Sequence, residues 1–576
     1  MILGSLAMLV ANAAALLASH SLLGRLKTGK ASTDLVLFLL LRILLVSATV
    51  LAAGLLRVLT PAVLGLAGFV AIAGLVALGE HRRLPECRWP EVGRAWIVLG
   101  VLIALRLLLQ VWFFAPYLGD SLAYHLPKVA EWVRGGGFTG ELGMDPRATF
   151  PAGFELLETW WVVFLHHDVL IEMAGVEFFL LGVAGVAAIA EAVGWGARTA
   201  AIAGSLFALN PAFHFQATSA VNDGAVTGLL LASIALVAAG SHPLLVLLPV
   251  AMGAGVKPTF LYALPGVALI AGLIPRSDGP DPTSRRALGA VAGAALLVGS
   301  YWYLRNWAVF GNPIYPMGPG GMKALASGAT MQRIGPSLQS LRENVSSFVD
   351  VRIYDQNRAP DAMCTAGFGW GPAGFALGAL ALIPVLRAET LIRRLALGLA
   401  LSAVSVFTLV ELDLWNDRFV VFLAALPALA LARLWDRYRF VAMLGWLALV
   451  LQFLETMVPG NLPPDAWRTL MSQTWRERSA IPAPAGMPAE RVGFSTDDFG
   501  LAYPLYRPSY SCGLVYLRET TTDELLARID REALTVIYVT PFLPRRSALF
   551  EEGVRRGRLQ PILQGPWRAY VVLPRR

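Results

Sequence analysis

The sequence has few charged residues and few cysteines, and each shortage excludes a class of protein. Charged residues make up 15% of the 576 positions and hydrophobic residues 56%, which excludes an ordinary soluble globular protein. The three cysteines, Cys87, Cys364 and Cys512, have neither the spacing of a zinc site nor that of a disulfide framework. A single bridge between Cys364 and Cys512 stays open. The composition predicts a polytopic membrane protein.

A long basic patch is also missing, although the net charge is +8. Lysines and arginines occur in short clusters between apolar runs, which favours control of membrane topology over binding to nucleic acid. The first apolar run, 2–23, has no basic residue before it and no convincing cleavage site. We therefore interpret it as a retained span and not as a signal peptide.

The remaining apolar runs bring the prediction to about 14 membrane spans, each of about 20 residues. The basic loops "GRLKTGK" and "HRRLPECRWPEVGR" are expected in the cytoplasm, and by parity Asp120 is then extracytoplasmic. Phe154 to Leu165 is short and carries two glutamates and a Trp pair, so we expect it to lie at the membrane interface without crossing. The clearest predicted spans are 34–58, 61–79, 95–115, 287–304, 372–388, 393–411, 418–433 and 439–458.

Three domains follow from this pattern. Residues 1–94 are predicted as N-terminal transmembrane helices, and 95–459 as the transmembrane core with outer loops 116–153 and 305–371. Residues 460–576 are predicted as a Pro-rich linker and a small extracytoplasmic α/β domain, since no run there is long enough to span. Within this domain "RVGFSTD", "LTVIYVT" and "WRAYVVLP" predict strands, and "TTDELLARIDRE" and "SALFEEGVRRG" predict capped helices.

Polar residues occur where predicted spans reach the extracytoplasmic side. Asp120, with a pKa raised modestly by partial burial, could accept a proton from an attacking hydroxyl or amine, and His125 could assist it. Arg305 and Arg418 are predicted at extracytoplasmic ends of spans, where the positive-inside rule does not explain an arginine. Guanidinium groups bind phosphate in a bidentate manner. Such residues suit a reaction on a lipid phosphate whose tail lies in the bilayer.

Each candidate also has a plainer interpretation. Asp120 could cap the helix that begins at Ser121, and His125 could bond only backbone or lipid headgroups. Arg418 could form a salt bridge with Asp413 or Asp417. The basic residues Lys128 and Arg134 are expected to be headgroup anchors on an amphipathic segment.

Three further polar residues interrupt apolar pieces. Lys257 ends a short apolar piece broken by Gly and Pro, which predicts a bent or partial helix lining a cavity. An ionisable group at that depth is a functional candidate, or else a lysine that snorkels to the interface. Asn222 and Asp223 open a predicted span and either line the same cavity or only cap the helix.

Three phrases resemble the type C glycosyltransferases, the GT-C superfamily. "GDSLAYHLPKVAEW" is similar to the first outer loop of bacterial members, "RNWAVFGNPIYP" to a recurrent phrase of the group, and "NDRFVVFLAALPALALA" to a late helix. The resemblance covers roughly residues 95–455. Within the superfamily, the sequence is similar to the protein O-mannosyltransferase and aminoarabinose transferase type.

The resemblance implies an inverting transfer of a sugar from a polyprenyl-phosphate donor to an acceptor on the extracytoplasmic face of a bacterial inner membrane. Asp120 matches the usual first-loop base of the family. Many relatives carry two adjacent acids there, whereas here Ser121 follows, which weakens a metal proposal. A second acid or an acceptor-side role is open for five residues: Asp350, Asp355, Asp361, Asn222 and Asp223.

The predicted partners are membrane lipid, the lipid-linked sugar donor and a glycan, lipid or protein acceptor, with no nucleic acid. Arg305, Arg418 and Lys257 are the candidates for holding the donor phosphate. No cofactor is predicted, and a divalent metal is possible but not indicated. Two alternatives remain: a lipid-linked-sugar transporter or flippase, and an oligosaccharide ligase or polymerase with a diphosphate lipid donor.

Overall fold

The computed structural model describes most of the chain, in twelve segments. These are 2–80, 93–138, 146–274, 284–317, 337–349, 371–410, 416–457, 491–495, 500–506, 510–539, 547–564 and 567–574. Asp350, Asp355 and Asp361 lie outside the described residues, as do Cys364 and the side chain of Asp417.

The described chain is mainly helical up to residue 457. The helices are α1 Ile2–Leu26, α2 Ala31–Leu55, α3 Pro61–Ala77, α4 Arg94–Phe113, α5 Leu126–Gly135, α6 Gly153–Val163, α7 Met173–Ala192, α8 Ala197–Ala208, α9 Pro211–Gln216, α10 Asp223–Ala238, α11 Pro243–Val256, α12 Pro258–Leu273, α13 Arg285–Phe310, α14 Leu338–Val349, α15 Gly371–Ala388, α16 Thr390–Leu409, α17 Ala425–Arg437 and α18 Arg439–Met457. Short turns of other helix types lie at Ser121–His125, Pro146–Thr149, Asp168–Leu170, Asn416–Ala424 and Tyr503–Tyr506.

The protein is an integral membrane protein. Among the described residues, seven helices are long and apolar enough to cross a bilayer: Ile2–Leu26, Ala31–Leu55, Arg94–Phe113, Asp168–Ala192, Arg285–Phe310, Thr390–Leu409 and Arg418–Arg437. Shorter apolar helices, including α3, α10, α11 and α12, lie among them. The total of about 14 spans stays a prediction.

The two short apolar segments noted in the sequence, Phe154 to Leu165 and the segment before Pro258, form the helices α6 and α11. Helix α6 has 11 residues and is about 16 Å long, too short for a hydrocarbon core of about 30 Å. Helix α11 ends at Val256, and the next residue, Lys257, has an extended backbone. Pro258 follows it, and a residue before proline is driven out of the helical conformation. The chain therefore bends at Lys257 and starts α12.

Small residues and one ion pair hold the bundle together. A Cβ on Gly255 of α11 would lie 2.7 Å from the Cα of Gly299 in α13, so the two backbones touch, as membrane helices often do at small residues. Arg42 of α2 forms a buried salt bridge with Glu177 of α7. Arg42 Nη2 also donates to Asn12 Oδ1 of α1 at 2.8 Å, which joins three helices.

The C-terminal part folds around a five-stranded sheet. Its strands are β1 Arg491–Ser495, β2 Gly513–Leu517, β3 Val536–Val539, β4 Leu559–Gln564 and β5 Trp567–Val572, and its helices are α19 Thr522–Arg531 and α20 Ser547–Arg555. The strand order is β2-β1-β3-β5-β4, with β1 parallel to β2 and β3 and the other pairs antiparallel. Cys512, directly before β2, is buried and has a free thiol.

The C-terminal sheet packs against the helical part beside α5. Tyr503 Oη donates to Asp168 Oδ2 at 3.1 Å and lies 2.8 Å from Tyr510 Oη. Tyr516 of β2 packs against a small cluster that includes Tyr124. A Cβ on Gly513 would lie 2.9 Å from the Arg134 guanidinium carbon. The sheet therefore contacts the segment that follows Asp120.

Candidate active site

Asp120 lies in a loop that is fixed to a second loop. Helix α4 ends at Phe113, and Asp120 directly precedes the π-helical turn Ser121–His125, which leads into α5. Ser121 Oγ lies 2.8 Å from the carbonyl oxygens of both Ser219 and Ala220, between α9 and α10. Ala220 has φ of 51°, a left-handed conformation that is costly for a residue with a Cβ. The two loops hold each other in place.

Arg418 joins the residues of this end of the bundle. Its Nη2 donates to Asp120 Oδ2 at 3.0 Å, and its Nε lies 3.4 Å from Asp223 Oδ2. Lys257 donates to the other oxygen of Asp223. Two carboxylates and two cations therefore form one chain of ion pairs, in the order Asp120, Arg418, Asp223, Lys257. We call these four residues the ion-pair chain.

The elements explain how four distant residues meet. Asp223 is the first residue of α10, and Lys257 stands at the break between α11 and α12. Arg418 lies in the 3-10 turn before α17. Next to Arg418, Phe419 offers its ring to both cations, with Lys257 Nζ 4.7 Å and Arg418 Cζ 5.2 Å from the ring centre. Cations favour this position over an aromatic face.

The ion-pair chain is only partly buried. The side chain of Asp120 is 23% exposed and that of Arg418 15%, whereas Asp223 is buried. Arg418 Nε and Asp223 Oδ2 face each other at 3.4 Å, and among the described residues neither forms a hydrogen bond. Arg418 is therefore held more closely by Asp120 than by Asp223.

The electrostatic environment of Asp120 differs from the sequence expectation. Burial by itself would raise the pKa of Asp120, but attraction to Arg418, aided by His125 and Lys257, lowers it below its ordinary value. The expected modest rise was wrong because the sequence did not reveal the arginine beside it. The plainer helix-cap interpretation was also wrong, since the Asp120 side chain forms no cap hydrogen bond.

Asn222 and Asp223 both open α10, as predicted, but neither acts as a plain cap. Asn222 Nδ2 donates to the Val256 carbonyl oxygen at 3.2 Å, and its side chain forms no cap hydrogen bond. It therefore ties the start of α10 to the end of α11, beside Lys257. Asp223 is the second acid that the structure brings to Arg418. The alternative partner Asp413 lies outside the described residues.

His125 and Lys128 belong to a neighbouring buried cluster. Glu155 Oε1 of α6 accepts hydrogen bonds from His125 Nδ1 at 2.9 Å and Lys128 Nζ at 2.7 Å. Lys128 is fully buried, so its interpretation as a headgroup anchor was wrong: it is needed to neutralise Glu155. Arg134 is more exposed and pairs with Glu131 at 2.8 Å.

Glu155 is the residue that the sequence interpretation missed. Glu155 and Glu158 were placed at the membrane interface, yet both are fully buried inside the protein. Burial would raise the pKa of Glu155, but Lys128 and His125 lower it to about 2. Two glutamates in an 11-residue apolar helix were the available signal, because a buried acid needs a partner.

Arg305 lies in a separate group of contacts. Its Nη2 donates to Asn306 Oδ1 at 2.9 Å and to the Thr149 carbonyl oxygen at 3.2 Å, and its guanidinium lies 4.9 Å from the centre of the Trp302 ring. These contacts do not include Asp120 or Arg418. Its role in holding phosphate stays a prediction.

No metal centre appears in the described ranges. No group of three or more His, Cys, Asp or Glu residues there is placed to hold a metal ion. Asp120 and Asp223 lie on either side of Arg418, so the guanidinium occupies the space between the two acids.

No family model matches the sequence, and no curated protein matches it. Among solved structures the chain is similar to ArnT from Cupriavidus metallidurans in the apo state, with a TM-score of 0.52 and 13% identity, over 84% of this chain and 99% of that chain. ArnT bound to undecaprenyl phosphate gives a TM-score of 0.50, with the same identity and coverage.

At this identity the likeness concerns the fold. ArnT is a membrane glycosyltransferase of the GT-C type, so the GT-C fold predicted from the three sequence phrases is confirmed. The match extends over nearly the whole of ArnT.

Proposed function

We propose that the protein is a glycosyltransferase that moves a sugar from a polyprenyl-phosphate donor to an acceptor at the extracytoplasmic face of the bacterial inner membrane. The observation that carries the proposal is the salt bridge of the partly exposed Asp120 with Arg418. It puts a carboxylate, which can accept a proton, beside a guanidinium, which suits phosphate, at one end of the bundle. The undecaprenyl phosphate bound to ArnT supports a lipid phosphate as the ligand.

The reaction is a single displacement with inversion. The acceptor hydroxyl attacks the anomeric carbon, a new carbon–oxygen bond forms, and the bond from that carbon to the phosphate oxygen breaks. The electron pair leaves with the lipid phosphate, which gains a negative charge that Arg418 and Lys257 stabilise. The hydroxyl proton passes to Asp120.

Donor binding also prepares the base. The four charges of the ion-pair chain cancel in the absence of ligand, with Asp120 held as a partner of Arg418. A phosphate that binds Arg418 competes with Asp120 for it. Once released, the carboxylate of Asp120 loses the attraction that lowers its pKa and becomes a stronger base when the donor is in place.

The test uses purified protein in lipid nanodiscs with a panel of undecaprenyl-phosphate sugars and a cell-envelope acceptor fraction. Release of undecaprenyl phosphate is followed by mass spectrometry. We expect Asp120→Asn to lose activity by about 10²- to 10⁴-fold, the usual contribution of a general base. Asp436→Asn is the matched control. The Asp436 carboxylate lies at the C-terminal end of α17, whereas Arg418 precedes the N-terminal end, and it accepts a hydrogen bond from Thr199 Oγ1 at 2.8 Å. Full activity of Asp120→Asn would refute the mechanism.

A second arm compares monophosphate and diphosphate lipid donors that carry the same sugar. The two cations of the ion-pair chain are already balanced by two carboxylates. The site therefore suits the smaller negative charge of a monophosphate. We expect turnover of the monophosphate donor. Turnover of only the diphosphate donor would point to the ligase or polymerase alternative.

A further inference from the structure

The two cations of the ion-pair chain, Lys257 and Arg418, share one acid. Lys257 donates to one oxygen of the Asp223 carboxylate, and Arg418 Nε lies 3.4 Å from the other. Arg418 is held more closely by Asp120, at 3.0 Å. In the proposed reaction the donor phosphate replaces Asp120, so Arg418 loses its closest partner while the two cations still repel each other. A further group has to keep both cations at the phosphate.

Phe419 contacts both cations through its ring. Lys257 Nζ lies 4.7 Å and Arg418 Cζ 5.2 Å from the ring centre, distances at which the electron-rich face of an aromatic ring attracts a cation. The attraction is stronger for a cation that has lost water, and the two side chains are only 18% and 15% exposed. A neutral ring carries no charge that an anion could replace. It can therefore hold the cations while the partner of Arg418 changes.

The turn that carries Phe419 fixes the position of its ring. Within the 3-10 turn Asn416–Ala424 the backbone leaves the helical conformation at Val420. Phe422 of this turn is completely buried, whereas Phe419 is half-buried and packs against the hydrophobic core. The core therefore supports the ring on which the cations rest. Lys257 gains most from this contact, since its flexible four-carbon stem does not fix the position of its charge.

We propose that Phe419 is a positioning residue of the donor site, whose ring keeps Arg418 and Lys257 in place while the lipid phosphate replaces Asp120. The phosphate then meets two cations that are already ordered, which lowers the cost of binding. The ring itself takes no part in bond formation or proton transfer. The inference rests on the proposed function and adds the group that allows Arg418 to exchange its partner without moving.

A series of fluorinated phenylalanines in place of Phe419 is the decisive test. Fluorine atoms withdraw electron density from the ring face and weaken its attraction for cations, yet they change the shape of the ring little. Monofluoro-, difluoro- and trifluorophenylalanine are incorporated in turn at an amber codon in the full chain. We expect a stepwise fall in the affinity for undecaprenyl phosphate, measured by native mass spectrometry from nanodiscs, and in the kcat/KM for the donor. The loss should reach about tenfold with three fluorine atoms.

Phe422 supplies the matched control. It lies three residues further along the same turn, and among the described residues no cation lies over its ring. The same three analogues in place of Phe422 test whether the packing of a ring in this turn responds to fluorine. We expect the affinity and the kcat/KM to stay close to those of the unchanged protein. Thermal unfolding of every analogue checks that the fold is kept.

A second arm separates the cations from the sugar as the group that the ring contacts. Undecaprenyl phosphate without a sugar is compared with the sugar-bearing donor across the Phe419 series. We expect the same stepwise loss of affinity for both lipids, because the ring acts through Lys257 and Arg418. A loss with the sugar-bearing donor alone would show that the ring contacts the sugar, and would overturn the inference.

The remaining outcomes separate this inference from the proposed function. An unchanged affinity across the Phe419 series, or equal losses in the Phe419 and Phe422 series, would overturn the positioning role even when Asp120→Asn is inactive. If Asp120→Asn keeps full activity, the proposed function fails. A stepwise loss of affinity for undecaprenyl phosphate in the Phe419 series would in that case still show that the ring holds the two cations.

Discussion

Two arginines of this protein, Arg42 and Arg418, pair with carboxylates in different ways. Arg42 and Glu177 lie inside the bundle, and each side chain is 9% exposed. Glu177 accepts from Arg42 on one oxygen and from Trp161 Nε1 on the other at 2.9 Å. Arg418 is 15% exposed, its partner Asp120 is 23% exposed, and Arg418 Nε lies 3.4 Å from Asp223 Oδ2.

The difference separates a structural ion pair from a candidate reactive one. In the Arg42 pair, Asn12 and Trp161 supply further hydrogen bonds, and the contacts cross-link α1, α2 and α7. In the ion-pair chain Arg418 serves two acids, and both Arg418 and Asp120 are partly exposed. A phosphate could bind at Arg418 without breaking the fold, whereas one at Arg42 would have to separate three helices.

Between the two arginines, the larger effect on activity is expected from Arg418→Gln. Removing one preorganised charge at a reacting phosphate costs about 10²- to 10³-fold in kcat, and in the proposed reaction Arg418 is the cation beside the departing phosphate. The measurement is release of undecaprenyl phosphate from a lipid-linked sugar. Activity within a few-fold of the unchanged protein would mean that Arg418 is as structural as Arg42.

Arg42→Gln should show the opposite pattern. Breaking a buried ion pair costs about 3–5 kcal/mol because one charge is left without a partner. Thermal unfolding in detergent should therefore show a large loss of stability. The kcat of the protein that remains folded should be unchanged, and a selective loss of kcat would blur the distinction between the two arginines.

The pKa of Asp120 gives a smaller but more specific signal. Its carboxyl group is ionised above its folded pKa, which Arg418 holds below the ordinary value against the effect of burial. In Arg418→Gln the effect of burial is unopposed by that charge, so the pKa of Asp120 should rise. Difference infrared spectroscopy would follow the protonated carboxyl band, which should persist to higher pH than in the unchanged protein.

Asp120→Asn identifies that band, which must be absent from its spectrum. A carboxyl band that titrates at the same pH with and without Arg418 would show that the salt bridge does not control the base.

The smallest effect is expected where the C-terminal sheet docks. Tyr503→Phe removes the hydrogen bond from Tyr503 Oη to the Asp168 carboxylate and its contact with Tyr510 Oη, and a hydrogen bond to a charged group contributes about 1.5–3 kcal/mol. Stability should fall by that amount, with little change in kcat. A large loss of kcat would show that the sheet holds the Asp120 loop in its active position.

Much of the bundle could be predicted from the sequence, because hydrophobic length and prolines act locally. The predicted spans at 95–115 and 287–304 overlap α4 and α13, and Phe154 to Leu165 overlaps the short α6. The break at Lys257 follows from the Pro258 beside it. Strands β1, β3 and β5 fall within the three segments of the tail predicted as strands. The full span count and the side of the membrane stay predictions.

The site could be predicted as a set of residues but not as a geometry. Asp120, Arg418, Asp223 and Lys257 were each singled out by charge at a helix end, yet nothing in the sequence pairs residues almost 300 positions apart. The pKa of Asp120 was therefore predicted with the wrong sign. Lys128 was placed at the surface because its partner Glu155 lies on another helix. Long-range pairing decides these points, and it is a property of the packed bundle.

The most direct test of the central claim is a cryo-electron microscopy structure of the protein in nanodiscs with undecaprenyl phosphate. The account predicts phosphate density within hydrogen-bonding distance of Arg418, with the Asp120 carboxylate released from the guanidinium and facing the same cleft. Phosphate density away from Arg418, with the salt bridge between Asp120 and Arg418 intact, would contradict it.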